Sequence, residues 1–107
     1  MGQAPDEYEG GRIIGDVEAH YHVAVLVSKT GKWVEDFLVR AGGERFEVID
    51  DRTGVLLLAA DTLKEAVRFC MQKYVDRFGR DEIEPVWGAG SPNKVLQELG
   101  FKFPEVQ

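Results

Sequence analysis

Residues 62–78 constrain the fold more than any other stretch of the chain. Thr62 stands three positions before Glu65, the spacing of a capping box, in which the threonine hydroxyl satisfies a free N–H of the first helical turn and the glutamate returns a bond. Leu63, Ala66, Val67, Cys70, Tyr74 and Phe78 then recur every three or four residues, and Gly79 supplies a stop. The apolar stripe is wide, because Phe69 and Met71 extend it. A helix of this kind is stable only when its stripe is covered, so the rest of the chain must supply a surface for it.

The preceding forty residues read as that surface. Residues 20–28 alternate with period two: Tyr21, Val23, Val25 and Val27 on one side, His20, His22, Ala24 and Leu26 on the other. Apolar groups on both sides near the centre predict an interior strand. A turn at 29–32, with Gly31 free to take positive φ, leads to a second strand over 33–40. There Trp33, Phe37 and Val39 share a side with Glu35, and that set is the expected core face. Gly42-Gly43 turns the chain into a third strand over 44–50, with Phe46 and Val48 inward. Asp51-Arg52-Thr53-Gly54 predicts a type I turn closed by a left-handed glycine, followed by a fourth strand over 55–60. Its Leu56-Leu57-Leu58 run has no period that assigns an inward face.

The fold class that results is α+β: a four-stranded antiparallel β-meander with one long helix packed on one face, plus a short C-terminal helix. The short helix is expected over 92–99, with Ser91 as cap, Pro92 at the first position and Gly100 as terminator. Residues 81–90, with Pro85, Gly88 and Gly90 around Val86 and Trp87, read as an extended connection. Residues 1–12 read as a flexible acidic N-terminal arm, 13–80 as the meander-plus-helix core, and 81–107 as a C-terminal extension of the same domain. Within 13–19, Ile13, Ile14 and Val17 suggest a short edge segment.

Charge bears on function. The net charge of -6 is uneven: segments 1–19, 20–80 and 81–107 carry -4, +1 and -3. Nucleic-acid binding needs gathered Lys and Arg. A basic patch on the central unit, from Lys29, Lys32, Arg40, Arg45, Arg52, Arg68, Lys73, Arg77 and Arg80, is therefore a second reading rather than the first. The single cysteine, Cys70, allows no internal disulfide. Residues 1–9 lack the pattern of a signal peptide, and no apolar run approaches the ~20 residues that span a bilayer. The expectation is a cytoplasmic protein without membrane contact.

No residue pattern announces chemistry. His20 and His22 fall on one side of a strand about 6.6 Å apart and could hold zinc with Cys70 or a carboxylate. The recognised ligand spacings are missing, however, and Cys70 sits on the helix stripe, where a small buried hydrophobe is the ordinary role. Asp50 and Asp51, with Glu47 near, resemble an acid–base pair but occupy a turn, where aspartates bind their own backbone. Ser28 and Ser91 lack a nucleophile elbow, and no glycine-rich phosphate loop occurs. No catalytic residue, metal or cofactor is expected.

The unassigned apolar surplus lies at the carboxyl end, in Trp87, Phe101 and Phe103. Such aromatics either anchor a partner or peg a tail to its own domain. By elimination the sequence points to a non-catalytic protein-interaction or regulatory module with a protein partner, working through these residues or an exposed sheet edge. A homodimer joined through sheet edges is one form of this reading. A small ligand-binding domain or enzyme is the third reading, and its signature would be an enclosed pocket lined by His20 or His22 with an acidic group.

Overall fold

The computed structural model describes residues 19–102; the expected arm at 1–12, most of the segment at 13–19, and Phe103 lie outside the described residues. Among the described residues, five strands form one antiparallel sheet: β1 (Ala19–Val27), β2 (Lys32–Gly42), β3 (Arg45–Asp50), β4 (Leu56–Ala60) and β5 (Ile83–Pro85). Their order is β4-β3-β2-β1-β5. The meander expected from the turn signals is present, with Gly31 at φ 68° and Gly54 at φ 79° closing two of its hairpins. β1 is interior, as its two apolar sides required. It is flanked by β2 and by β5, a segment whose residues on their own read as a connection. Three residues are too few to show a period, and Pro85 argues against a strand except at an edge, which is where β5 lies.

The long helix α1 (Leu63–Phe78) crosses β1 to β4 on one face. The Thr62 hydroxyl accepts from Glu65 N at 3.1 Å. The Glu65 carboxylate returns a bond to Asp61 N at 3.3 Å, one residue earlier than in the standard box. Ala66, Val67, Cys70, Met71 and Tyr74 are buried against Val23, Val25, Val27, Val39 and Val48. Burial of each large apolar side chain among them stabilises the fold by about 1.5–3 kcal/mol, which is what keeps this helix in place. Among the described residues no helix is long and apolar enough to cross a membrane.

The second helix, α2 (Asn93–Glu98), is shorter than expected, and Pro92 rather than Ser91 stands at its cap with no side-chain cap bond. Leu96 is buried, and Val95 and Leu99 pack on the same core. The side of α2 that carries Val95, Leu96 and Leu99 is thus the one turned to the core.

Candidate interaction surface on the open sheet face

A bulge corrects the alternation expected for β2. Val25 pairs with Val34 and Val23 with Phe37, so Glu35 and Asp36 together stand opposite the single residue Ala24. The extra residue reverses the alternation along the strand. Phe37 and Val39 face α1 as expected, but before the bulge it is Val34 that packs on the core. Trp33, expected inside, is 69% exposed on the opposite face. The clue was the spacing of three between Val34 and Phe37, together with the charged Glu35 that the regular alternation placed in the core set.

A bulge leaves backbone groups out of the ladder, and buried ones must find partners. Here α1 provides them through one side chain. The Tyr74 hydroxyl accepts from Asp36 N at 2.9 Å and donates to Val23 O at 2.7 Å, with Val34 O at 3.3 Å. The Tyr74 ring meets Phe37 edge-on at 5.1 Å. Burial pushes the Tyr74 phenol well above its ordinary value, so the hydroxyl keeps its proton for that donation. The Asp36 carboxylate adds a surface tie to Arg77 at 3.1 Å.

No helix among the described residues covers the other face, and cross-strand pairing shows what lies on it. Directly opposed residues share a face, which gives one row of Leu38, Ile49 and Leu56 with His22 at its end. A neighbouring row holds His20, Arg40, Glu47 and Ala59, with Arg40 Nε donating to Glu47 at 3.0 Å. A third row holds Trp33, Leu26 and Glu84. Trp33 and Leu56 (52%) are exposed toward the two ends of this face, with Val55 (54%) and Leu57 (40%) exposed beside Leu56 in the chain. Leu57 is itself an extra residue, since Leu56 and Leu58 pair with the adjacent Ile49 and Val48. That second bulge, together with Arg45 donating to Ala59 O at 3.2 Å, interrupts the β4 edge. The apolar surface near β4 is therefore side chain more than free strand edge.

Beside Trp33 the face is concave. An open hollow of ≈ 340 Å³ is lined by His22, Ala24, Trp33, Glu35, Val86, Ala89 and Ser91. His22 Nδ1 lies 2.8 Å from Glu35 Oε2. A carboxylate can only accept, so the shared proton is placed on Nδ1. The connection that forms the far wall is held by His22 N donating to Gly90 O at 2.7 Å and Val86 N to Ala24 O at 2.9 Å. Asn93 completes it, exchanging two bonds with the Gly88 backbone at 3.1 and 3.0 Å. The sequence pointed to His22 and to a histidine paired with an acid. It offered no means of finding Glu35, because the partner arrives only through the bulge.

The remaining candidate residues fall in separate places. Cys70 is buried beneath the sheet, on the side away from His20 and His22, so the three do not converge; its thiol is pushed up to about 12 by burial. Asp50 Oδ1 accepts from Arg52 N and Thr53 N at 2.8 and 3.2 Å, the expected turn role. Trp87 and Phe101 are half-buried and pack on the domain's own core, with Arg80 stacked 4.3 Å from the Phe101 centroid. Several of the basic residues are engaged by acids: Arg40 with Glu47, Arg45 with Asp61, Arg52 and Arg77 with Asp36, Lys64 with Glu98. The chain matches no protein-family model, and neither a curated protein nor a solved structure is significantly similar to it.

Proposed function

We propose that the protein is a non-catalytic protein-interaction module that meets its partner through the open face of its sheet. One observation carries this reading. The face away from α1 keeps a continuous apolar row, Leu38, Ile49 and Leu56, and has Trp33 and Leu56 exposed, although no helix among the described residues covers it. Exposed apolar groups gathered on one face mark interaction surfaces far more often than scattered ones do. The rows that flank the apolar one carry both signs, Arg40 beside Glu47 and Glu35 beside His22. A rim of this kind sets orientation and specificity more than affinity. It also allows two copies to meet about a two-fold axis, each presenting the same patch, with the sheets packed face to face.

The test is a comparison of the wild type with Leu56→Lys/Leu57→Lys. Both positions are exposed, so thermal unfolding should be nearly unchanged. Sedimentation velocity across a concentration series reads self-association, and quantitative cross-linking in the native host reads other partners. The proposal expects the double variant to lose the association that the wild type shows. Equal association by the two proteins in both measurements overturns it. The nucleic-acid reading has less support, since four of its nine basic residues, Arg40, Arg45, Arg52 and Arg77, pair with acids.

A further inference from the structure

We infer that the hollow beside the β2 bulge is a binding site for an organic cation, an ammonium or guanidinium group with aliphatic shoulders. The inference goes beyond the interaction surface and holds whichever protein that surface takes. Its chemistry comes from three features placed together by the bulge. Trp33 lines the hollow with 69% of its surface open, and an indole face attracts cations more strongly than any other side-chain ring. Glu35 lines the same hollow, and no Lys or Arg pairs with it among the described residues. By contrast Asp36, Glu47, Asp61 and Glu98 each have such a partner. The His22 imidazole holds Oε2, and no hydrogen bond reaches Oε1 from the described residues. The floor is apolar, made by Ala24, Val86 and Ala89.

Each feature selects against another class of ligand. An anion would meet the Glu35 carboxylate, and Glu84 stands on the same face in the row of Trp33 and Leu26. A neutral apolar ligand would strip water from Glu35 without replacing it, which is costly. A bare metal ion would lack ligands, since no cluster of three or more His, Cys, Asp or Glu side chains occurs among the described residues. An organic cation satisfies all three surfaces at once: charge toward Glu35, a face on Trp33, methylene or methyl groups on the alanines and Val86. The walls are set beforehand by the Asn93–Gly88 clamp and the His22–Gly90 backbone bond, so little ordering is required on binding. The net charge of -6 draws cations toward the molecule.

The cation could be a free small amine or the side chain of a Lys or Arg in a partner, and the experiment separates these. Amide and indole NMR shifts of the full chain are followed during titration with tetramethylammonium, with methylguanidinium, with an acetyl-arginine-amide peptide unit and with its citrulline counterpart. Saturable shifts at the Trp33 indole N–H and at the Ala24, Glu35 and Ala89 amides are expected with the cations, and none with citrulline. Binding by the small cations as tight as by the arginine unit identifies a free amine. Binding by the arginine unit alone identifies a partner's side chain. Trp33→Leu, which keeps apolar bulk, should weaken binding roughly 5- to 30-fold. Glu35→Gln should weaken it roughly threefold. Absence of saturable shifts at Trp33, an equal response to citrulline, or unchanged affinity in Trp33→Leu overturns the inference. Leu56→Lys/Leu57→Lys should bind the cations as the wild type does, so loss of the interaction surface and loss of this site are read separately.

Discussion

The two faces of the sheet are made from alternate residues of the same strands, yet they have been settled by different forces. Under α1, Val25, Val39, Val48 and Val67 show no exposed surface, and Tyr74, whose hydroxyl reaches the centre, has every hydroxyl role filled. On the open face Trp33 and Leu56 are left to water, and the polar groups pair with one another along the surface. The covered face is fixed by folding, because any vacancy there costs packing. The open face is not, since exposed apolar side chains add little to stability. The contrast teaches where to look for function: apolar residues that the core does not need are explained by what they touch outside the chain.

The largest test of the contrast is on the covered side. Tyr74→Ala removes a buried ring and the bulge's hydrogen bonds together, and should cost about 3–5 kcal/mol in urea unfolding. A loss below about 1 kcal/mol would mean that the covered face is not the stabilising one.

A smaller effect, also large, is expected at alkaline pH. The Cys70 thiol is raised from 9.0 to about 12 in the folded state. Between those values the unfolded chain has released the proton and the folded chain still holds it, so stability is full below about pH 9 and falls as pH rises. The slope from this group is about 1.4 kcal/mol per pH unit. Urea midpoints of Cys70→Ala should fall less steeply over that range. The same slope in both proteins would show that the thiol is not sealed.

Tyr74→Phe keeps the ring and removes only the hydroxyl. It leaves Asp36 N–H and Val23 C=O without their partner, for an expected loss of roughly 1–3 kcal/mol. It should also shift the NMR signals of Trp33 and Glu35, because the bulge that sets their direction is loosened. Stability loss without those shifts would separate the tie from the surface. The smallest change is expected from Trp33→Ala, within about 0.5 kcal/mol of the wild type in the same unfolding measurement. A loss of several kcal/mol there would break the comparison, since it would place Trp33 among the groups the fold requires.

Much of the scaffold was legible in the sequence because single residues carry a local instruction. Thr62, Glu65 and Gly79 bound the helix, and Gly31 and Gly54 close hairpins whose neighbours alternate. The surface was less legible. Alternation is read relative to a register, and the register of β2 changes between Val34 and Phe37 for a reason that lies 38 residues away, in the hydroxyl of Tyr74. β5 was hidden for a similar reason: Ile83 and Pro85 become a strand only because β1 has a free side to offer. The open-face role of Leu56 likewise depends on the extra residue Leu57. Non-local causes of this type leave at most a spacing anomaly in the chain, such as the three residues from Val34 to Phe37.

The Tyr74 tie also makes the extra residue at Glu35–Asp36 a point where β2 could be shortened without turning over its faces. Removing Asp36 alone would let β2 run straight, with Glu35 opposite Ala24, while Val34 and Trp33 stayed opposite Val25 and Leu26 on the faces they now occupy. The loss of that single codon would thus keep Trp33 outward and remove only the two ties that Asp36 makes to α1, through its N–H to the Tyr74 hydroxyl and its carboxylate to Arg77.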